Sequence, residues 1–195
     1  MNDARAAGTV RVAAARSRRR AEGKSMIRAA RADEMGRLQQ IEVEAGRSFA
    51  AVGMDAVARD EPLPAAELLD YQRDGRAWVY TDEGDRPVAY LIAAWVDGVV
   101  HLEQVSVDPA FAGRGVGAGL IEHLVGWARE RGSEALTLTT FAEVVWNAPY
   151  YERLGFRRLT EGELTPGLRE IRAEEAAHGL DRWPRLAMRR ELRGS

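Results

Sequence analysis

The chain has 195 residues, 46% of them hydrophobic and 30% charged, a balance that suits one soluble globular domain with a sizeable core. It contains no cysteine, which excludes disulfides, thiolate catalysis and zinc–thiolate sites and fits a reducing, cytoplasmic setting. The longest apolar run, residues 88–96, is too short to cross a bilayer as a helix. No apolar segment of the secretory type opens the chain, so no membrane association is expected.

The net charge of −2 is unevenly placed. Residues 1–25 carry seven basic side chains (Arg5, Arg11, Arg16, Arg18, Arg19, Arg20 and Lys24) against Asp3 and Glu22, a net +5 that leaves −7 for the remainder. That segment has almost no large apolar residue and cannot bury a core. It is expected to be a disordered basic extension, or to lie upstream of a start at Met26, rather than to serve as a nucleic-acid arm. The folded domain is expected over residues 26–192.

Residues 26–30 (MIRAA) suit a short strand. Asp33 can cap a helix over 34–45, where Met35, Leu38 and Ile41 share a face. Residues 46–65 carry Gly46, Gly53, Pro62 and Pro64 as breakers. A second helix fits 64–73 and a strand 77–81. Residues 82–86 (DEGDR) form a turn, and 88–96 form a nearly continuous apolar strand of the central kind. Asp97-Gly98 is a hairpin signal, followed by a strand over 101–107. Leu120, Ile121, Leu124, Trp127 and Ala128 then mark one face of a helix that Gly132 ends in a left-handed cap. Residues 135–141 (ALTLTTF) alternate as a strand. A short helix fits 147–154, a strand begins at Gly155-Phe156, an amphipathic helix covers 168–178, and 184–192 supply a last strand.

Between the strand at 101–107 and the helix after it lies VSVDPAFAGRGVGAGL, residues 105–120. Gly113, Gly115, Gly117 and Gly119 alternate there, which strips side chains from one side of the backbone. The helix N-terminus that follows is suited to a phosphate. Strand, loop, helix and strand make a right-handed unit with its two strands parallel. The run GRGVGA formally matches a dinucleotide fingerprint, but the next strand ends in Thr139, Thr140 and Phe141 without the acidic residue that a ribose requires. A P-loop is excluded, because Lys24 is the only lysine. A pyrophosphate on a different fold is the remaining ligand.

Residues 101–159 resemble the core of the GNAT superfamily of N-acetyltransferases, which use acetyl-CoA. VSVDP (105–109) resembles the family's strand into the loop. Gly113-Arg114-Gly115-Val116-Gly117-Ala118 resembles its pyrophosphate loop, with Ala112 where the pattern has Gln or Arg. Tyr151-Glu152-Arg153-Leu154-Gly155-Phe156 resembles its Y-x-x-x-G-F signature, with Asn147 upstream and closer to the tyrosine than is usual. The resemblance implies an α/β (α+β) fold: a mixed, mostly antiparallel sheet of six or seven strands flanked by helices, with a splayed parallel pair. It implies direct acetyl transfer from acetyl-CoA to a primary amine, with no metal.

The same resemblance implies the site. Val105, Ser106 and Val107 would pair with the pantetheine arm as an added strand would. Gly113, Arg114, Gly115, Val116, Gly117 and Ala118 would hold the pyrophosphate, and Asn147 and Tyr151 would border the coenzyme. Tyr151 stands at the position of the acid that protonates the departing thiolate, with Tyr150 as the neighbouring alternative. Glu103, two residues before Val105 and on the same face by alternation, is the candidate base, with His101 behind it. His123 suits packing and His178 receives no role. Trp146 is the tryptophan expected nearest the substrate. Residues 46–65, 88–96 and 141–150 are expected to build the acceptor pocket. A possible homodimer and a non-catalytic acyl-CoA-binding module are the other expectations.

Overall fold

The computed structural model describes residues 27–192. The expected basic extension and Met26 lie outside the described residues. The elements are β1 (Ile27–Ala29), α1 (Met35–Gly46), α2 (Asp55–Ala58), α3 (Ala65–Arg73), β2 (Ala77–Thr81), β3 (Pro87–Val96), β4 (Val99–Val107), α4 (Val116–Glu130), β5 (Ala135–Phe141), α5 (Ala148–Arg153), β6 (Arg157–Arg158), α6 (Pro166–Ala177) and β7 (Arg185–Glu191). Seven strands form one sheet in the order β1-β2-β3-β4-β5-β7-β6. Every neighbouring pair is antiparallel except β4 and β5.

Strand alternation sorts the core into two layers. Ala89, Leu91 and Ala93 of β3 join Val105 and Val107 of β4, Leu136 and Leu138 of β5, and Leu120, Ile121 and Leu124 of α4 on one side of the sheet. Tyr90 and Ile92 of β3 meet Leu38 and Ile41 of α1 and Leu68 of α3 on the other. This is why β3 reads as a continuous apolar run: both of its faces are covered. Each fully buried leucine or isoleucine contributes about 1.5–3 kcal/mol relative to exposure, so α4 is held mainly by its apolar stripe. It ends at Glu130 with Arg131 as its C-cap, followed by Gly132 at φ +76°, the left-handed glycine that the sequence predicts there.

Several boundaries differ from expectation for local reasons. Asp33 lies inside a 3-10 turn, Ala32–Glu34, and it is Glu34 that accepts the Arg31 N–H at 2.8 Å. Residues between α1 and α3 are more ordered than their breakers suggest, with a 3-10 segment over Arg47–Val52 ending in left-handed Gly53, then α2. The strand after Phe156 is only two residues long. The strand β7, seven residues long, takes the place beside β5, from Ala135↔Glu191 to Phe141↔Arg185.

Candidate functional site

The parallel pair supplies the site's frame. β4 and β5 are in register only at Val100↔Leu136 and His101↔Thr137. Beyond His101 they part, so the edge of β4 up to Val107 is available to an extended ligand that hydrogen-bonds like a strand. This is the splayed pair that the sequence resemblance implies.

The β3–β4 register steps from Ala93↔Leu102 to Ile92↔Gln104, with Glu103 as the extra residue of a bulge. The bulge overturns one expectation. Leu102 and Val105, three residues apart, both enter the α4-side core, so simple alternation no longer puts Glu103 on the Val105 face. Glu103 is partly buried and stands where the strands begin to part. His101, Gln104 and Ser106 are buried. Gln104 Nε2 donates to the Tyr90 hydroxyl at 2.8 Å and to Ser106 Oγ at 3.2 Å, and the Tyr90 hydroxyl donates to Glu42 at 2.7 Å. His101 Nδ1 meets Thr137 Oγ1 at 2.9 Å. Burial holds its pKa down to about 4 despite nearby Glu175, so the ring is neutral at pH 7.

The glycine loop lies at the open end of β4. Asp108 caps a 3-10 turn, Pro109–Phe111, accepting the Ala110 N–H at 3.0 Å. Its other carboxylate oxygen accepts from Arg37 Nη2 of α1 at 2.6 Å. Gly113 and Gly115 take left-handed φ values of +74° and +79°, which non-glycine residues adopt at a cost. Gly115 is the N-cap of α4 and offers no side chain to it. The first intrahelical bond there is Gly119 N–H to Gly115 C=O at 2.9 Å, so the N–H groups of Val116, Gly117 and Ala118 precede the helical ladder and face outward at its positive end. Arg114 is exposed and stacks over Phe111 at 5.1 Å.

α5 brings Tyr150 and Tyr151 to the same end. Asn147 is its N-cap, and its carbonyl accepts the N–H groups of Tyr150 and Tyr151 at 2.9 and 3.1 Å. The Asn147 amide donates to Thr140 Oγ1 at 2.9 Å, tying α5 to β5. Tyr151 is fully buried in the α4-side core, edge-on to Phe156, and its hydroxyl has no hydrogen-bond partner. Burial, with Tyr150 adjacent, raises the Tyr151 pKa well above its ordinary value. Burial raises Tyr150 to about 12, against the pull of Arg153. An unsatisfied, fully buried phenol can donate to or accept from a partner that the protein itself does not supply. His123 stacks on Trp78 at 5.7 Å on α4, and His178 closes α6 through the Glu174 carbonyl; neither meets this site.

Sequence reasoning missed the Arg37–Asp108 support of the loop, the Glu42–Tyr90–Gln104–Ser106 chain, and the Glu175–Arg185 pair under β5. The Asp-Pro step at 108–109 is a capping signal that could have marked Asp108. Its partner, 71 positions away, leaves no local trace. Among the described residues no cluster of three or more His, Asp or Glu side chains could hold a metal ion. Among them, too, no helix is long and apolar enough to cross a membrane.

Residues 25–156 match the acetyltransferase (GNAT) family. An uncharacterized N-acetyltransferase of Methanocaldococcus jannaschii is 28% identical over 92 residues, which are 44% of this chain and 41% of that protein. The ribosomal protein bS18-alanine N-acetyltransferase of Salmonella typhimurium is 37% identical over 76 residues, 39% of this chain and 51% of that one. The chain thus spans about half or less of the curated relatives it matches. The Escherichia coli ribosomal-protein-S18-alanine N-acetyltransferase structure has a TM-score of 0.62 at 20% identity, covering 88% of this chain and 96% of that one. A Salmonella typhimurium acetyltransferase solved with acetyl-CoA gives 0.62 at 19% identity, covering 89% and 96%. At these identities the structures establish a shared fold.

Proposed function

Because the chain belongs to the acetyltransferase (GNAT) family, we propose that it transfers the acetyl group of acetyl-CoA directly to a primary amine. The observation that carries this reading is the uncapped N-terminus of α4, set behind left-handed Gly113 and Gly115 at the open end of the parted β4 and β5. A pyrophosphate suits the N–H groups of Val116, Gly117 and Ala118, with Arg114 free to swing from Phe111 to a phosphate. The backbone of Val105, Ser106 and Val107 offers a strand edge to the pantetheine arm. The fit at the reacting end is the orphaned Tyr151 hydroxyl.

Transfer forms an N–C bond and breaks a C–S bond. The amine gives up a proton and the thiolate takes one. Tyr151 is assigned the donor role, since burial keeps its phenol protonated across the neutral range. Glu103 at the bulge is assigned the acceptor of the amine proton, directly or through water. A backbone N–H of the Val105–Val107 strand is assigned to the oxyanion that develops on the thioester carbonyl. Asn147 positions Tyr151 through α5 and borders the coenzyme.

Calorimetric titration with acetyl-CoA, CoA and NADH, followed by thiol release with an amine panel, tests this. CoA-form binding without NADH binding, and amine-dependent thiol release, support it. Folded protein that binds neither CoA form overturns it. Binding with no turnover on any amine makes the chain an acyl-CoA-binding module instead.

A further inference from the structure

The side of the parted strands away from α4 is closed over. His101, Gln104, Ser106 and Thr139 are polar, yet none is more than 1% exposed. His101 is bonded to Thr137, Gln104 to Tyr90 and Ser106, and Thr139 to Glu175, while two buried donors, one on β7 and one just before α5, have no partner.

The first is on Arg185, which pairs with Phe141 at the open end of β5 and whose side chain is 0% exposed. Its Nε and Nη2 hold Glu175 at 2.9 and 2.5 Å. Nη1, at the far corner of the guanidinium, has no hydrogen-bond partner. The second is the indole N–H of Trp146, also buried and unmatched. Neither group can accept a hydrogen bond, so only an acceptor atom can satisfy them. Both sit on one aromatic cluster. Arg185 lies over Phe141 at 4.4 Å, Phe141 meets Phe49 at 5.5 Å, and Phe49 meets Trp146 at 6.0 Å.

Charge points the same way. Glu175 also takes Arg172 at 2.6 Å, so two guanidinium groups share one carboxylate and the cluster carries a surplus positive charge. His101 nearby is neutral at pH 7, its pKa held to about 4 by burial. A surplus cation with a spare donor favours an anion. The rim is apolar: Val52 and Val145, 47% and 68% exposed, stand on the two segments that bring Phe49 and Trp146 together.

We propose that this cluster receives the acceptor, and that the acceptor is a small amine bearing a carboxylate and an apolar side chain, as an apolar α-amino acid does. Arg185 Nη1 anchors the carboxylate, Trp146 Nε1 donates a second hydrogen bond, and Phe49 and Phe141 cover the side chain. The inference rests on the acetyl-transfer reading above.

The test is thiol release from acetyl-CoA by the full chain with matched amines: L-phenylalanine, L-leucine and L-methionine, the carboxamide of each, the amine lacking the carboxyl group, and a tripeptide beginning with each residue. The expected result is a kcat/KM for the free acid at least 10-fold above the carboxamide and 100-fold above the decarboxylated amine. Trp146→Phe, which keeps the ring and removes the donor, should raise KM for the acid several-fold with kcat little changed. Arg185→Lys, if folded, should bring acid and amide together. Equal or better turnover of the amides, simple amines or tripeptides overturns the proposal. So does silence toward every free acid in protein that still binds acetyl-CoA by calorimetry. Failure to bind acetyl-CoA instead overturns the coenzyme reading, and this proposal with it.

Discussion

The Tyr150 hydroxyl lies 3.2 Å from the point where a Cβ on Gly117 would stand, with Val107 Cγ2 next at 3.5 Å. Gly117 therefore has little room for a side chain, because a phenol from α5 rests against the first turn of α4. Tyr150 thus packs against the turn whose N–H groups are proposed to hold the pyrophosphate.

Gly117→Ala sets two effects against each other. Alanine in a helix gains up to about 1 kcal/mol over glycine, while the tyrosine must shift by a few tenths of an ångström. The expected outcome is a melting temperature within a few degrees of wild type and acetyl-CoA affinity weakened about 10-fold, since each 1.4 kcal/mol is tenfold. In a Tyr150→Phe background the hydroxyl is gone and the 3.5 Å contact is ordinary, so the alanine should become stabilising. Melts of the four proteins in the cycle check this, and additive effects would rule out the contact as the cause.

Tyr151→Phe removes a buried hydroxyl that has no partner in the protein. Deleting an unsatisfied buried polar atom is neutral or stabilising by about 1 kcal/mol. Turnover is expected to fall roughly 100-fold, the span of a general acid, with coenzyme binding within about threefold. Because burial raises the Tyr151 pKa, the wild-type rate should show no alkaline loss from this group below pH 10. A variant both less stable and fully active would make Tyr151 a packing residue.

What the sequence made legible was whatever repeats locally. The stripe of Leu120, Ile121 and Leu124, the alternation of ALTLTTF and the glycine spacing each reflect neighbours within a few residues, and they yielded α4, β5 and the loop. The bulge at Glu103 was hidden because HLEQVSV is compatible with an unbroken strand, and only the pairing with Ile92 and Ala93 shows the extra residue. Arg185 and Glu175 are ordinary charged residues until β7 and α6 place them together under Thr139. Periodicity could not show that Tyr151 enters the core while Tyr150 turns to Gly117, since the two are adjacent on one short helix.

Gly167, near the start of α6, sits against the β3–β4 turn. A Cβ there would stand 2.7 Å from Val96 Cγ1 and 2.9 Å from Asp97 Oδ2, and its N–H donates to Asp97 at 2.8 Å. Gly167→Ala is expected to cost about 1–3 kcal/mol as an overpacking change. Asp97→Ala should also destabilise, because it removes the acceptor and leaves a residue at φ +50° that alanine disfavours. Asp97→Asn, which tolerates that backbone and keeps an oxygen, should be milder than Asp97→Ala. Chemical denaturation ranks the three, and an Asn variant as damaged as the Ala one would remove the hydrogen bond from the explanation.

His101 makes stability depend on pH in a defined window. The unfolded chain binds a proton on this ring near pH 6.5, whereas burial lowers the folded value to about 4. The unfolded state therefore holds more protons between those values, and stability rises with pH across them. His101's contribution is complete above pH 6.5 and is lost as the pH falls toward 4, by roughly 3 kcal/mol over the window. His123, also lowered by burial, adds to the same slope. Glu175 acts below it: burial alone would raise its pKa, but Arg185, Thr139 and Arg172 outweigh that and lower it. Its stabilisation is thus present above pH 4.5 and disappears as the pH falls through the lowered value. Urea unfolding at pH 7, 6, 5 and 4 should show a decline from 6.5 downward that His101→Gln flattens in part, since an amide can keep a hydrogen bond to Thr137 without titrating. An unchanged slope in that variant would mean that His101 titrates alike in both states and is not held neutral by the fold.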